Sequence, residues 1–364
     1  MHFNQTRIRR FSTHALISIG TLGGLGFATA ALGNTIHVCS SCAHTSIQSA
    51  VNDAASGDTI DVAAGRYSEN ITVAGKILTL VGQSAATTLV YGAARGPVFT
   101  LGSGATSDVP MLVTIQQLTI SGGNHTGGTG VGGGIQVRGG AYLHLENSTL
   151  TANVASSGAG IGIDSPGAPV TTISGCLIDG NFTSAVFPGG PGGGIVVKSG
   201  SLATITGSII TRNTAISGGG VFAWEGSSLS ITGSTIASNS AYAVSTHSGS
   251  SGGGGGGVEA HGAVSIASTY LLNNTASGED GGGGLALYAA QNAVTTVSKT
   301  IIAQNSSGDG AGILEYGGTL RLENSYVVQN SGYGIWGSFT LVNDGSTVKD
   351  NLLGNICVDT DCSH

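Results

Sequence analysis

From Leu143 onward one arrangement of apolar and polar positions recurs along the chain: an apolar residue, a small residue three later, an apolar one two further on, and an asparagine three beyond that. Leu145/Ser148/Leu150/Asn153, Ile173/Cys176/Ile178/Asn181, Ile205/Ser208/Ile210/Asn213 and Ile231/Ser234/Ile236/Asn239 are followed by Ile266/Thr269/Leu271/Asn274, Val297/Thr300/Ile302/Asn305 and Leu322/Ser325/Val327/Asn330. The pattern fades at Asn343/Ser346/Val348/Asn351. Successive asparagines lie between 21 and 35 residues apart, an irregular period with a regular signature. Helical repeats keep stricter periods. A solenoid of stacked strands tolerates this irregularity, because its strands and one tight turn are fixed by the coils beneath while its other loops lengthen on the surface.

Each asparagine is followed by a second, glycine-flanked strand, beginning at Gly134-Ile135, Gly160-Ile161, Gly194-Ile195, Gly220-Val221, Gly257-Val258, Gly284-Leu285, Gly312-Ile313 and Gly334-Ile335. A coil therefore reads as strand, asparagine turn, glycine-flanked strand and variable loop. Asparagine accepts the left-handed backbone of a sharp bend, and stacked side-chain amides can bond to one another. Asn153, Asn181, Asn213, Asn239, Asn274, Asn305 and Asn330 are thus expected to form an internal ladder. The glycines are expected to adopt similar dihedrals and to let coils approach closely. Ahead of these coils, Ile47, Val51, Ala54 and Ala55 fall on one face of a short helix, and Thr59–Val62, Ile71–Val73 and Leu78–Val81 read as strands. Such a helix would cover the open end of the solenoid and its free strand edges.

The segment Thr45 to Gly82 resembles the N-terminal cap and first coil of the pectin-lyase-like superfamily. The Gly-Ile/Val strands with repeated Ser-x-Ile-x-x-Asn resemble bacterial right-handed β-helix repeat proteins and polymorphic outer membrane protein repeats. The resemblance runs from Thr45 to Asn351 and implies an all-β fold, a right-handed parallel β-helix of about ten coils with a short N-terminal capping helix. The expected division is 1–33 signal peptide, 34–82 cap and first coil, 83–351 β-helix, and 352–364 a tail with a cysteine pair. The same scaffold carries lyases, hydrolases, esterases and adhesins, so the resemblance speaks to fold more than to activity.

Composition fits this reading: 64 glycines, with only 9% charged and 5% aromatic residues, leave no material for a large aromatic core. Arg7, Arg9 and Arg10, an apolar stretch from Ala15 to Ala31 and the small residues Ala28-Thr29-Ala30 form a secretory signal. Cleavage between Ala30 and Asn34 leaves no membrane span. It removes three of the twelve basic residues and none of the nineteen acidic ones, so the formal charge of −7 becomes −10. Nucleic acid is a poor partner for such a chain. Export permits disulfides, and the close pairs Cys39/Cys42 and Cys357/Cys362 sit where a solenoid frays. A zinc site built from all four would require the two ends to meet. Cys176 stands alone in the middle.

Counting from Gly134 and its equivalents, the first and third positions of the glycine-flanked strand are mostly apolar and face inward. The fourth gives an external row: Arg138, Asp164, Lys198, Trp224, His261, Tyr288 and Tyr316. Beside it, at the second position, stand Gln136, Phe222, Glu259 and Trp336, with Glu225 just beyond Trp224. Trp224, Glu225, Glu259, His261, Tyr288, Tyr316 and Trp336 are the candidate substrate-binding residues, since aromatic rings stack on sugars and charged groups address carboxylates and hydroxyls. The bland alternative is an ordinary ion ladder beside aromatics that merely cover a sheet.

For catalysis, Lys198 with Asp164 and Arg138 is the candidate set for a lyase, in which a base removes the proton beside a uronate carboxyl and Glu225 with Glu259 holds Ca²⁺. A hydrolase would need two carboxylates about 5 to 9.5 Å apart, which Glu225 and Glu259 could supply. The chain lacks the close acidic pair of polygalacturonases, the Trp-Ile-Asp-His and Arg-x-Pro-x-x-Arg segments of pectate lyases, and the Asp-Phe-Ile-Phe-Gly of pectin methylesterases. No metal site is expected from His125, His144 and His261, and Glu279-Asp280 and Asp309 read as solvated loop acids. The leading expectation is a secreted, monomeric protein that binds an extracellular polysaccharide or a cell-surface component without turnover and without a cofactor. A polysaccharide lyase or other carbohydrate-active enzyme, and a purely structural surface protein or adhesin, remain the alternatives.

Overall fold

One coil sets the rule for the rest. Ile135–Arg138, Ala141–Glu146, Thr149–Thr151 and Val154–Ala155 are four short strands in succession, and the next coil begins at Ile161–Asp164. Each strand pairs in parallel with its counterparts one coil away: Ile135 with Phe99 and Ile161, Leu145 with Ile115 and Ile173, Leu150 with Ile120 and Ile178, Ala155 with Thr183. This computed structural model describes residues 33–358 except 94, 103–110, 128–129, 168–169, 185–189, 247–248, 253, 279–280 and 289–292. The expected 1–33 signal peptide lies almost wholly outside these residues, as does Cys362.

The result is a right-handed parallel β-helix. Its third face is a sheet of eleven stacked strands running from Gly65–Ser68 to Thr347–Lys349, in keeping with the expected number of coils. The glycine-flanked face and the second face stay separate strands until the last coils, where they fuse into Ile313–Glu323 and Tyr333–Asp344 with a register shift between Tyr316 and Thr319. Thr, Val and Ile suit these strands because branched side chains fill a pleated surface. Alternation sends Ile173, Ile178, Ile205, Ile210, Ile231 and Ile236 fully into the interior, where each buried side chain contributes about 1.5–3 kcal/mol.

The asparagine ladder runs through this interior. From Asn181 onward each ladder Oδ1 accepts both the backbone N–H and the Nδ2 of the preceding asparagine, the side-chain bonds measuring 2.9 to 3.1 Å, while Asn153 Oδ1 accepts from Gly123 N–H. The second Nδ2 proton goes to a carbonyl of the neighbouring coil, as from Asn213 to Ile178 at 2.9 Å. Asn351 joins as an eighth rung and accepts from Asn330.

The turn geometry differs from expectation. The left-handed residue is the one before each ladder asparagine: Ala152, Gly180, Arg212, Ser238, Asn273, Gln304, Gln329 and Asp350 all have positive φ, and the ladder asparagines do not. The bend is made one residue early so that the amide can point inward. The final glycine of each strand entrance is likewise not left-handed. A Cβ on Gly220 would lie 2.6 Å from the Gly257 carbonyl oxygen and 3.1 Å from the Asn239 amide, so close approach alone demands glycine there.

A second ladder occupies the corner at the other end of the third-face strand, between it and the second face, and was not foreseen. The small residue of the repeat carries a hydroxyl that accepts a backbone N–H from the adjacent coil, as Ser208 does from Cys176, Ser234 from Ser208 and Thr300 from Thr269. Cys176 fills one rung of it, its thiol directed at the Ser174 and Leu145 carbonyls. Burial pushes that thiol up to about 11.

The entrance is closed by the helix Ile47–Asp53, capped by the Ser46 hydroxyl, with Ile47, Ala50 and Val51 buried. The Glu69 carboxylate accepts from the backbone N–H groups of Ile47 and Gln48 at 2.8 Å each, meeting the positive helix end. Ala55, expected on the buried face, is exposed because the helix has already ended at Ala54. Cys39 and Cys42 are joined by a disulfide, and Cys357 is disulfide-bonded at the other end. Among the described residues no helix is long and apolar enough to cross a membrane.

Asn213→Leu removes four ladder bonds and strands buried groups on two adjacent coils. Urea unfolding should show a loss of about 2–4 kcal/mol, given about 1–3 kcal/mol for each unpaired buried group, and Asn351→Leu, at the end of the ladder, a smaller one. An unshifted midpoint for Asn213→Leu would mean that the ladder does not hold the coils.

Candidate functional site

Strict register on the glycine-flanked face places the fourth positions over one another. Arg138 pairs with Asp164 across neighbouring strands, and Tyr288 with Tyr316. At rungs where the strand is shorter, the backbone still continues the ladder: Lys198 N–H donates to Ile163, Trp224 N–H to Val197 and His261 N–H to Ala223. The expected row therefore exists. Its first part is charged and its last part aromatic.

The aromatic part is continuous. The Lys198 ammonium lies 4.9 Å from the centroid of the Trp224 ring, Phe222 touches both Trp224 and His261 at 5.3 Å, and His261 stacks on Tyr288 at 4.7 Å and 16°. Tyr288 stacks on Tyr316 at 5.9 Å, and Tyr316 meets the edge of Trp336 at 5.5 Å and 86°. These separations bracket the spacing of about 4.8 Å between strands. The middle rings thus cover one another's faces, while Trp224 and Trp336 meet their aromatic neighbours at steep angles of 64° and 86°. Trp224 is exposed; His261, Tyr288, Tyr316 and Trp336 are half-buried.

Among the described residues no ion pair links Arg138, Asp164 and Lys198; Arg138 Nε instead donates to the Gly102 carbonyl at 3.4 Å. Asp164 and Glu225 are exposed, Glu225 in the turn that follows Trp224. Glu259 departs from the expected surface role. The glycine-rich turn of its own coil folds back over the second position, so Glu259 is only 5% exposed. Its carboxylate accepts from Gly255 N–H at 2.9 Å and meets His261 Nε2 at 2.9 Å. It holds His261 in place and is not offered to solvent with Glu225. The same cover buries Phe222 in a small apolar cluster with Val131 and Val196 outside the main core. No group of three or more His, Cys, Asp or Glu side chains among the described residues is placed to hold a metal ion.

Glu315 escaped the sequence reading. It sits at the third, inward position, in register with Leu287 on one side and Gly337 on the other. It is fully buried, and neither carboxylate oxygen has a partner. The pattern of inward apolar positions hid it, because its neighbours Ile313 and Leu314 look like any other coil.

Burial pushes the Glu315 carboxyl from 4.5 up to about 8. The folded chain therefore binds a proton that the unfolded chain releases between those values, so this group's contribution to stability is greatest at or below about pH 4.5 and falls as the pH rises toward 8. Glu315→Gln should remove that slope from the unfolding free energy between pH 5 and 8; an identical slope in both proteins would mean that the carboxyl is solvated.

With this geometry in place, comparison with known proteins gives the following. A family model for the right handed beta helix region matches residues 101–252 and 134–352, more than half of the chain. The fold is similar to that of pectin methylesterase from carrot, at 11% identity, 86% of this chain and 89% of that one, and a TM-score of 0.42. Pectin methylesterase PemA from Erwinia chrysanthemi gives 11%, 90%, 93% and 0.39. Pectate lyase Pel9A gives 14%, 87%, 79% and 0.40. Comparison with curated proteins yields no match.

Proposed function

The chain belongs to the right-handed β-helix family, and from that premise we propose that it is a secreted protein holding an acidic polysaccharide along the row on its glycine-flanked face, without cleaving it. The observation that carries this reading is the succession from Lys198 over Trp224, by way of the buried Phe222 to His261, and on through Tyr288 and Tyr316 to Trp336. A row with one side chain per coil matches an extended polymer with repeating units. Arg138 and Lys198 supply positive charge for uronate carboxylates, the tyrosine and histidine rims supply hydrogen bonds, and the end tryptophans supply apolar faces. Binding without turnover fits the state of the acidic and basic groups. The Glu259 carboxylate is committed to His261 and Gly255, and the Lys198 ammonium lies against the Trp224 ring.

The second reading is a polysaccharide lyase, favoured by Arg138, Asp164 and Lys198 standing on three consecutive rungs. Lys198 would be its base and Ca²⁺, with Glu225 among the ligands, its cation. Secretion rests on the N-terminal signal pattern, and a monomer is the proposed state.

Affinity electrophoresis against polygalacturonate and alginate, with and without Ca²⁺, separates these readings. Retardation that Trp224→Ala weakens by about tenfold, equivalent to about 1.4 kcal/mol, with no new ultraviolet absorbance from unsaturated uronides, supports binding alone. Appearance of that absorbance, and its loss in Lys198→Ala, would establish the lyase. No retardation by any polymer would leave the chain a spacer or adhesin.

A further inference from the structure

On the third face, away from the row, a second set of outward residues falls in register. Ile209, Thr235, Tyr270, Ile301 and Tyr326 occupy the first position of five consecutive strands and pair directly with one another. Ile209, Tyr270 and Tyr326 are 47, 48 and 52% exposed. The outward column two residues further along the same strands carries no charged side chain, and the charged ends of the strip are Asp179 below and Lys349 above. The two exposed tyrosine rings and the aliphatic side chains thus share one uncharged stretch of this face.

We propose that this strip binds the flat face of an uncharged, extended polysaccharide, of the kind exposed on cellulose or chitin, with Tyr270 and Tyr326 as the two stacking platforms. Neither ring stacks on another aromatic ring among the described residues, in contrast to Tyr288, whose neighbours His261 and Tyr316 cover it. About half of each residue is exposed, 48% for Tyr270 and 52% for Tyr326. The two lie two rungs apart, about 9.6 Å along the axis, roughly the length of a disaccharide in an extended chain, with Ile301 between them.

The size of the strip selects the partner. Three-residue strands give a width of about 10 Å and five rungs a length of about 24 Å, hence about 240 Å² of contact against the roughly 800 Å² per partner of a stable protein interface. Strand addition is closed as well, because each of these strands is already paired on both sides. The absence of charge in both columns disfavours an acidic polymer here, so this site differs in ligand class from the row on the other face.

The experiment is depletion of the full-length chain from solution by microcrystalline cellulose and by chitin, at low and at high salt. Depletion by one of them that resists salt, and that Tyr270→Ala/Tyr326→Ala weakens at least tenfold while Tyr270→Phe/Tyr326→Phe preserves it, is the expected result. The double alanine variant should keep the wild-type circular dichroism and its retardation by polyuronate, so loss of this strip and failure of the row are read separately. No depletion of the wild type, depletion unchanged in the double variant, or a double variant whose only change is loss of self-association in sedimentation would each overturn the assignment.

Discussion

Every coil of this protein is positioned by hydrogen bonds to the coils on either side, and the rest of the structure depends on that vertical register being kept without a slip. Two internal ladders enforce it, one at each end of the third-face strands. The asparagine amides are satisfied only when each Oδ1 faces both donors of the preceding asparagine, and the hydroxyls only when each meets a backbone N–H of the adjacent coil. A coil displaced by one residue would place polar groups in the apolar interior and apolar ones outside. The interior itself, built from Ile, Val and Leu with Phe99 as a rare large ring, is too uniform to fix the register by shape alone.

The same register builds both outward surfaces, with different results. On the glycine-flanked face the row changes from charged to aromatic, and the rings lie close enough to cover one another's faces. On the third face, the single aliphatic rung Ile301 between Tyr270 and Tyr326 keeps the rings apart. Identical spacing with different neighbours thus yields one surface suited to hydrogen bonding and charge, and another suited to flat apolar contact.

The stacking was legible in the sequence because its causes are local. Asn213 three residues after Ile210, and Gly194 immediately before Ile195, are short-range signals that recur. The row from Arg138 to Tyr316 followed from alternation once the inward positions were set. What could not be read depends on how a loop folds back. Glu259 looks like any outward acid until the Gly255 turn is seen to cover it, and Phe222 like an exposed aromatic until Val131 and Val196 enclose it. Glu315 was missed for the opposite reason: its position in the strand is an inward one, and only the finished core reveals an acid without a partner there. The left-handed corner was assigned to the ladder asparagine and belongs to its predecessor, since both placements give the same spacing.

The segment between a ladder asparagine and the next glycine-flanked strand is where chain length is free. In the coil after Asn239 it grows into an antiparallel hairpin, Ala243–Thr246 with Gly249–Gly252, yet Val221 still pairs with Val258 and Asn239 still meets Asn274. Length added there is absorbed outside the wound framework. The scaffold therefore has a modular port at each layer, through which a new wall or specificity element could be grafted without re-indexing the layers on either side.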